Sequence, residues 1–568
     1  MQGRPFIWNG KTLISGLDPV GRADRSADAV SISDKTLYFC PSPLYGYGLE
    51  RFLSRLKNEA KDSVLLCVEA ESELFELTLK NTPLLLLQSE KLHITNVCNS
   101  AELVNVVNDR WPLIVFRRLE IIRFTGGWQL HSDTYNSLCD ILRREIAAKW
   151  SNTLTLAKLG RLYIRNALRN LAPSCRNFKS VSELNFGKTP VLVLGAGPSL
   201  DAFFDTINNE QNFACPDKRS FKIICVDSCL GALRDRGIVP DLVVILESQH
   251  WNIRGFLACR EWNVPAAIDI SALPASASVL SGETYMFFTP WTNLRIFKRL
   301  KKAELLPAQI PPLGSVGLTA VELARKLTSG KVICAGLDFS FTHILSHARG
   351  TPGHHHLLST QTRFRRLFNV SLLGSASLQA VSKSGFSVRT NPIMKNYRNF
   401  FEYEFGSDER IYDIEGSGLP LGVKTLSLEE ALEYFNNLSQ RRKGTEEELI
   451  NKNYINDFIE KKDIIGQELC VLCASASVRE EKKSKMLSFF KNEKKLLEEL
   501  KNILTGETPL DKQRLNTLVD ECDYLWAHFP DCAGLRRPCL QDAAAISFLK
   551  RLRAEIDPML RIITHPAT

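Results

Sequence analysis

The sequence predicts an α/β protein whose centre is a doubly wound parallel sheet, with a smaller α/β domain before it and a helical domain after it. Three observations carry this reading. Between about 186 and 425, short apolar runs alternate with stretches of helical period. One of those runs, Val191 to Leu194, passes directly into Gly195-Ala196-Gly197-Pro198-Ser199 and then a new helical period. Beyond about 426 the chain turns rich in Leu, Glu and Lys at helical spacing.

Size and composition bound the rest. A chain of 568 residues exceeds what one hydrophobic core supports, so several domains are expected. Hydrophobic residues at 44% and charged residues at 24% are ordinary for a soluble globular protein. The net charge of +9, spread over this length, is no nucleic-acid signature and suits an anionic small substrate equally well. The apolar runs at Leu84–Leu87 and Leu113–Phe116 are strand-sized, too short to cross a membrane. The opening MQGRPFIWNGK lacks a basic head followed by an apolar stretch, so no secretory signal is read. The 15 cysteines are scattered and odd in number, and Cys67, Cys225 and Cys334 sit in apolar runs. They read as small buried hydrophobes in a reducing compartment. Cys470 and Cys473 form one CxxC, but no second pair completes a zinc pattern, so no metal site is expected. The expectation is a cytoplasmic protein without membrane or nucleic-acid partners.

Four segments follow in order: an α/β domain over 1–150, a linker helix within 151–185, the wound sheet over 186–425 and helices over 426–568. In the first, Asn9-Gly10 supplies the positive φ values of a two-residue hairpin turn between Ile7 and Leu13. Thr36–Cys40, Ser63–Val68 and Pro112–Arg117 read as strands, and Gly48–Ala60 as a helix. The loop Pro41–Gly48 and the acid Glu69 have the arrangement of a nucleotide fold, but the proline- and tyrosine-rich loop favours a scaffold role. The linker carries Leu156, Leu159, Tyr163 and Leu168 near one helical face. In the wound sheet, strands are expected at Phe221–Val226, Asp241–Leu246, Ala266–Ile270, Tyr285–Thr289 and Lys331–Gly336, with a helix within Pro311–Leu327.

The candidate site follows from that arrangement. A strand, a glycine turn and a helix start give backbone N–H groups and a positive dipole end, a place for a nucleotide phosphate. A tight turn without ligand is the alternative. Three strands end in acids, Asp227, Glu247 and Asp338, and ligands of open parallel sheets bind outside the carboxyl ends of strands. Gly195, Gly197, Ser199 and these acids therefore converge on one crevice. A second glycine loop, Leu313–Ala320, offers Ser315 and Gly317 for another anionic group, unless Ser315 and Thr319 merely cap a helix. After Asp338 come His343, His347, His354, His355 and His356, with Arg349, Arg363, Arg365 and Arg366. These fit a mobile lid in which histidine is a general base and arginine neutralises a phosphate; an adventitiously metal-binding surface loop is the alternative.

VLVLGAGPSLD, CVDSCLGALRDRGIVPDLVVILES and GSVGLTAVELARKLTSGKVICAGLDFSFT with SHARGT resemble, in order and spacing, the motility-associated factor (Maf) flagellin glycosyltransferases. LDPVGRADRSAD, TLYFCPSPLYGYGLERFL and CVEAESELF resemble the Maf amino-terminal domain, and DIEGSGLPLGVKTLSLEEAL the segment closing the catalytic domain. The central motifs are also similar to the archaeal 6-hydroxymethylpterin diphosphokinase-like proteins and, more distantly, to bacterial sialyltransferases. The resemblance implies a Rossmann-like, sialyltransferase-like catalytic domain. It implies inverting transfer of a nonulosonic acid from a CMP-activated donor to Ser or Thr of flagellin. Gly195, Gly197, Pro198 and Ser199 would then hold the nucleotide, Asp227, Ser228 and Glu247 its ribose side, and Ser315 and Gly317 the donor. His347, Asp338 and Arg349 would act in catalysis. Glu247-Ser248 stands where many relatives have Asp-Pro, and PSPLYGYG where they have a paired-glycine loop. Mg²⁺ stays open as a cofactor accompanying the nucleotide. An ATP-dependent diphosphokinase-like enzyme and a non-catalytic flagellar assembly factor are the other readings.

Overall fold

The computed structural model describes residues 5–111, 113–172, 179–207, 213, 216, 219–342, 345–364, 366, 378–438, 461–509, 511–535, 537–540 and 544–564. Expectations that fall on Pro112, His343 and Arg365 lie outside the described residues, as do the side chains of Cys470 and Cys473. The chain forms two compact units, Met1–Lys158 with Ala527–Arg537, and Leu159–Trp526 with Pro538–Thr568.

The first unit opens with the expected hairpin, β1 (Phe6–Trp8) antiparallel to β2 (Lys11–Ile14), turning through Asn9 at φ 46° and Gly10 at φ 74°. Its sheet is parallel: β3 (Thr36–Pro41), β4 (Val64–Val68), β5 (Leu92–Thr95) and β6 (Arg118–Ile121), in the order β5-β4-β3-β6. Helix Leu49–Glu59 lays Leu49, Phe52, Leu53 and Leu56 into the core, the spacing of one helical face. Two apolar runs differ from expectation. Leu113–Val115 is a 3₁₀ turn and the strand begins at Arg118; Leu113 and Phe116, three residues apart, both bury from that turn. Leu84–Leu87 is a helical turn begun by Pro83, with Leu84 69% and Leu85 83% exposed. Proline sets the local backbone there, and apolar composition alone does not make a strand.

The second unit holds a ten-stranded sheet whose pairings are all parallel. Its strands are β7 (Lys179–Ser180), β8 (Val191–Leu194), β9 (Lys222–Val226), β10 (Leu242–Ile245), β11 (Ala266–Asp269), β12 (Thr284–Phe288), β13 (Ala308–Gln309) and β14 (Val332–Ala335). After an antiparallel hairpin, β15 (Leu378–Val381) and β16 (Ser387–Thr390), come β17 (Ile411–Ile414) and β18 (Lys424–Leu426). The order is β13-β12-β11-β10-β9-β8-β14-β17-β18, with β7 beside β12. From β8 the chain steps outward to β13, then returns to place β14 on the other side of β8. The strand order therefore reverses between β8 and β14, the place where open α/β sheets take ligands. Cys225 and Cys334 are buried and free, as their apolar settings imply.

The expected linker is the second half of one helix, Ser132–Leu171. Its buried face includes two asparagines one turn apart. Asn166 Nδ2 donates to the carbonyls of Ser248 and Ser271, both at 3.0 Å, and Asn170 Nδ2 to those of Ile270 (2.8 Å) and Ala272 (2.9 Å). These bonds satisfy carbonyls beyond the exits of β10 and β11. The C-terminal helices Lys461–Thr505, Lys512–Glu521 and Ala544–Thr564 follow. Arg299 joins them to the sheet's flanking helix Arg295–Lys302: its guanidinium meets the buried Glu493 carboxylate at 2.7 and 2.8 Å and Glu521 at 2.6 Å. Among the described residues no helix is long and apolar enough to cross a membrane.

Candidate functional site

The crossover between β8 and β14 is zipped by the glycine loop itself. Gly195 N–H donates to Ala335 O and Gly197 N–H to Gly336 O, both at 2.8 Å. Ser199 completes the seam, its N–H on Asp338 Oδ2 (2.7 Å) and its hydroxyl on Asp338 Oδ1 (2.5 Å). A Cβ on Gly195 would lie 2.2 Å from Gly336 O, and one on Gly197 2.6 Å from Asp338 Oδ2. The two glycines thus let two strand exits touch. Gly195→Ala is expected to cost about 1–3 kcal/mol of stability, the usual penalty of overpacking, measurable by denaturant unfolding. An unchanged midpoint would show that the crossover yields to a methyl group.

This seam changes the role expected of the loop. Its N–H groups at 195, 197 and 199 are spent on protein acceptors, so they are not the open anion nest that the sequence suggests. Above it lies a cleft of about 230 Å³. Of the predicted residues, Gly195, Gly197, Ser228, Ser315, Gly317, Asp338 and His347 line this cleft. Pro198 and Ser199 lie behind the seam.

Three predicted residues point to other tasks. Asp227 leaves β9 beside the cleft, but its carboxylate is buried, accepting from Asn252 Nδ2 (3.0 Å) and Ser228 N–H (2.7 Å). Burial pushes its carboxyl up to about 6, against the opposing hydrogen bond from Asn252. Glu247 ends β10, two strands away from β8, where its exposed carboxylate accepts from Gln249 N–H at 2.9 Å. It does not line the cleft. Arg349 is 57% exposed and pairs with Asp201 (3.2 Å) and Asp205 (3.3 Å), a turn apart on helix Leu200–Ile207. Local charge complementarity claims that guanidinium, and the phosphate role expected of it does not follow from this placement.

A better anion site lies on the opposite wall. Helix Val316–Leu327 begins at Ser315, whose hydroxyl makes no capping bond. Its first-turn N–H groups at Val316, Gly317 and Leu318 have no acceptor among the described residues, while the next, Thr319 N–H, returns to Ser315 O at 3.1 Å. Ser315, Val316 and Gly317 line the cleft, so a positive helix end faces it. The expected alternative of a capped helix is half right: Ser315 occupies the cap position without capping.

His347 closes another side. Its Nδ1 lies 2.9 Å from Ser346 Oγ, and its ring packs on the backbone of Gly353. Burial, with a smaller push from His354, lowers its pKa, so the ring is neutral at neutral pH. The segment expected to be a mobile lid is tied down by Ala348 N–H on Ala196 O (2.9 Å), Arg349 N–H on Asp201 Oδ1 (2.9 Å) and Thr351 Oγ1 on Ala348 O (2.6 Å). His354, His355 and His356 belong to helix Pro352–Ser359, with His355 and His356 exposed. Arg363 and Arg366 are exposed as well.

Sequence reasoning missed Met394 and Tyr397, which complete the cleft from helix Pro392–Phe405. The signal was present: Asn391 caps that helix through Met394 N–H (2.8 Å), with Pro392 at the first position. Phe339, packed near Tyr397, holds φ at 48° in the cleft wall, a strained backbone for a non-glycine residue. Lys383 was missed too. From the turn of the β15–β16 hairpin its ammonium sits 2.7 Å from Asp413, the two side chains 3% and 1% exposed. Asp338 has both oxygens on Ser199, so the cleft does not present an open carboxylate set for Mg²⁺. No group of three or more potential metal ligands occurs among the described residues.

Comparison with known proteins agrees with this architecture. Residues 164–343 match the family model described as 6-hydroxymethylpterin diphosphokinase MptE-like. Over 549 residues the chain is 28% identical to an uncharacterized protein of Treponema pallidum (strain Nichols), covering 95% of this chain and 90% of that one. The MAf glycosyltransferase structure from Magnetospirillum magneticum AMB-1 superposes with a TM-score of 0.52 at 14% identity, covering 99% of this chain and 84% of that one. The chain is thus Maf glycosyltransferase-like in fold and carries an MptE-like domain over β8 and its neighbours, as the motif resemblance implied.

Proposed function

We propose that this protein is a glycosyltransferase that moves a nonulosonic acid from a CMP-activated donor to a Ser or Thr hydroxyl of a flagellin subunit, in support of flagellar assembly and motility. The observation that carries the reading is the juxtaposition, in one cleft at the sheet crossover, of an uncapped helix N-terminus and a neutral buried histidine. The Maf glycosyltransferase-like fold and the MptE-like domain support it.

The division of labour follows from the geometry. The N–H groups of Val316, Gly317 and Leu318 receive the donor phosphate, and the positive end of their helix stabilises the charge that grows as the glycosyl–oxygen bond breaks. His347 Nδ1 is engaged by Ser346, which leaves Nε2 to take the proton of the acceptor hydroxyl. That oxygen attacks the anomeric carbon from the side opposite the nucleotide, so configuration inverts and CMP leaves. Ser228, beside the cleft, is positioned toward the ribose side. Asp338 positions the floor through Ser199 and takes no proton.

Calorimetry with CMP, CDP, UDP and ATP, each with and without Mg²⁺, is the direct test. Preferential CMP binding that is lost in Ser315→Trp is the expected outcome. Tight binding of ATP with Mg²⁺ would favour a diphosphokinase, the second reading that the MptE-like match supports. Absence of nucleotide binding would point to a non-catalytic assembly factor. The acceptor is tested by intact-mass spectrometry of flagellin from cells lacking the protein: a lighter subunit is expected, and an unchanged mass removes flagellin as acceptor.

A further inference from the structure

The first unit repeats the winding of the second in miniature. From β3 the chain steps outward through β4 to β5, then returns to set β6 on the other side of β3. Its own reversal therefore lies between β3 and β6, and a second cleft, about 330 Å³, opens beyond their carboxyl ends. Tyr47, from the loop after β3, forms one wall, and Arg123 and Thr125, after β6, form another. Arg22 and Ser26 descend from helix Pro19–Ala29. The hairpin closes the last side, β2 being joined to the β6 exit by Gly126 N–H on Leu13 O at 2.7 Å. The loop expected to be mere scaffold thus builds a cavity.

The lining has a definite chemistry. It contains two guanidinium groups and no carboxylate. Neither Arg22 nor Arg123 has a carboxylate partner among the described residues. The acids nearest in sequence are committed elsewhere: Asp18 to Arg25 at 3.1 Å and to Gly21 N–H at 3.0 Å, Glu69 to Ser42 Oγ at 2.5 Å and Tyr135 OH at 3.3 Å. Arg123 lies 4.1 Å from the centroid of the Trp128 ring, which holds its planar fork in place before any ligand arrives. The loop that carries Tyr47 keeps two non-glycine residues at positive φ, Ser42 at 49° and Tyr45 at 57°, and such strain concentrates at binding sites.

We infer that this cleft is a second ligand site, taking a small ring-bearing molecule through its oxyanion, held by Arg22 and Arg123 beside the Tyr47 and Trp128 rings. A nucleotide phosphate and the carboxylate of an acidic sugar share that chemistry. The inference does not depend on the activity assigned to the other cleft.

Trp128 provides a local readout. Its contribution is the fluorescence difference between the full-length protein and Trp128→Phe, titrated with two charged probes, CMP and glucuronate, and their neutral counterparts, cytidine and glucose. At least one charged probe is expected to change the difference signal while its neutral counterpart does not; which one responds identifies the oxyanion. Arg22→Ala and Arg123→Ala are each expected to weaken that probe about ten- to a hundredfold, the range for a lost charged hydrogen bond. Arg25→Ala, whose guanidinium faces Asp18, should bind like the parent. No response to either charged probe, or parental affinity in both arginine variants, would overturn the inference.

Discussion

Replacing His347 by alanine is expected to lower the turnover of sugar transfer by about a hundredfold or more, the usual worth of a positioned proton acceptor, while nucleotide affinity stays nearly constant. The separation follows from the two walls of the cleft. The anion is held by the start of helix Val316–Leu327, which His347 does not touch, whereas the acceptor hydroxyl must give its proton to a group close by. The pH profile makes the test sharper. Burial lowers the His347 pKa below its ordinary value of about 6.5, so the base form is fully present at neutral pH. Turnover should be flat through neutrality and fall on the acid side only below that ordinary value, and the acid limb should vanish in the variant. The same depression has a stability counterpart. As pH falls below about 6.5 the unfolded chain gains a proton that the folded one resists, so stability declines toward the folded pKa. Full activity in His347→Ala would show the base assignment to be wrong. His354 would then be the next group to test: burial lowers its pKa also, and its Nδ1 is buried without a hydrogen-bond partner.

The features legible in the sequence are those encoded locally. Val191–Leu194 reads as a buried strand because four apolar residues run into glycine, and the helix at Val316 reads from its periodicity and its leading glycine. A wound sheet then brings those two loops to one edge, so the cleft could be located before its walls were known. Partner choice over long separations was not legible. Asp338 looked like a ligand carboxylate, yet Ser199, 139 positions earlier, takes both its oxygens. Arg349 looked like a phosphate clamp, yet Asp201 and Asp205 are spaced to receive it on the facing helix. Asn166 and Asn170 carry no signal as cap or motif, because their acceptors are carbonyls in loops about a hundred residues away, at separations of 82 to 105. Acid and base types announce that a charge must be met; they do not say by what.

The Lys383–Asp413 pair shows how much such an unannounced contact is expected to weigh. Lys383→Met should cost about 3–5 kcal/mol of stability, because it leaves one buried charge without its partner. Asp413 ends β17, the neighbour of β14 on the side away from β8, and is nearly inaccessible. Burial pushes its carboxyl up and the Lys383 ammonium pulls it back down. The hairpin turn that delivers the lysine is held to the same region: Lys383 N–H donates to Gly418 O at 2.8 Å, and Leu419 N–H donates to Asp338 O at 2.8 Å. Losing the ammonium therefore loosens the floor under Ser199 and Asp338, and nucleotide affinity should fall along with stability. The sign with pH follows from the raised carboxyl. In the variant the folded state holds a proton on Asp413 that the unfolded chain releases above about pH 4, so the deficit grows as pH rises and shrinks toward acid. The double variant Lys383→Met/Asp413→Leu removes both charges and should recover most of the loss, since apolar replacement of a buried pair is often neutral or better. Denaturant unfolding of the three proteins at acidic and neutral pH measures all of this. A single variant as stable as the parent at every pH would mean that the pair is not the anchor its burial indicates.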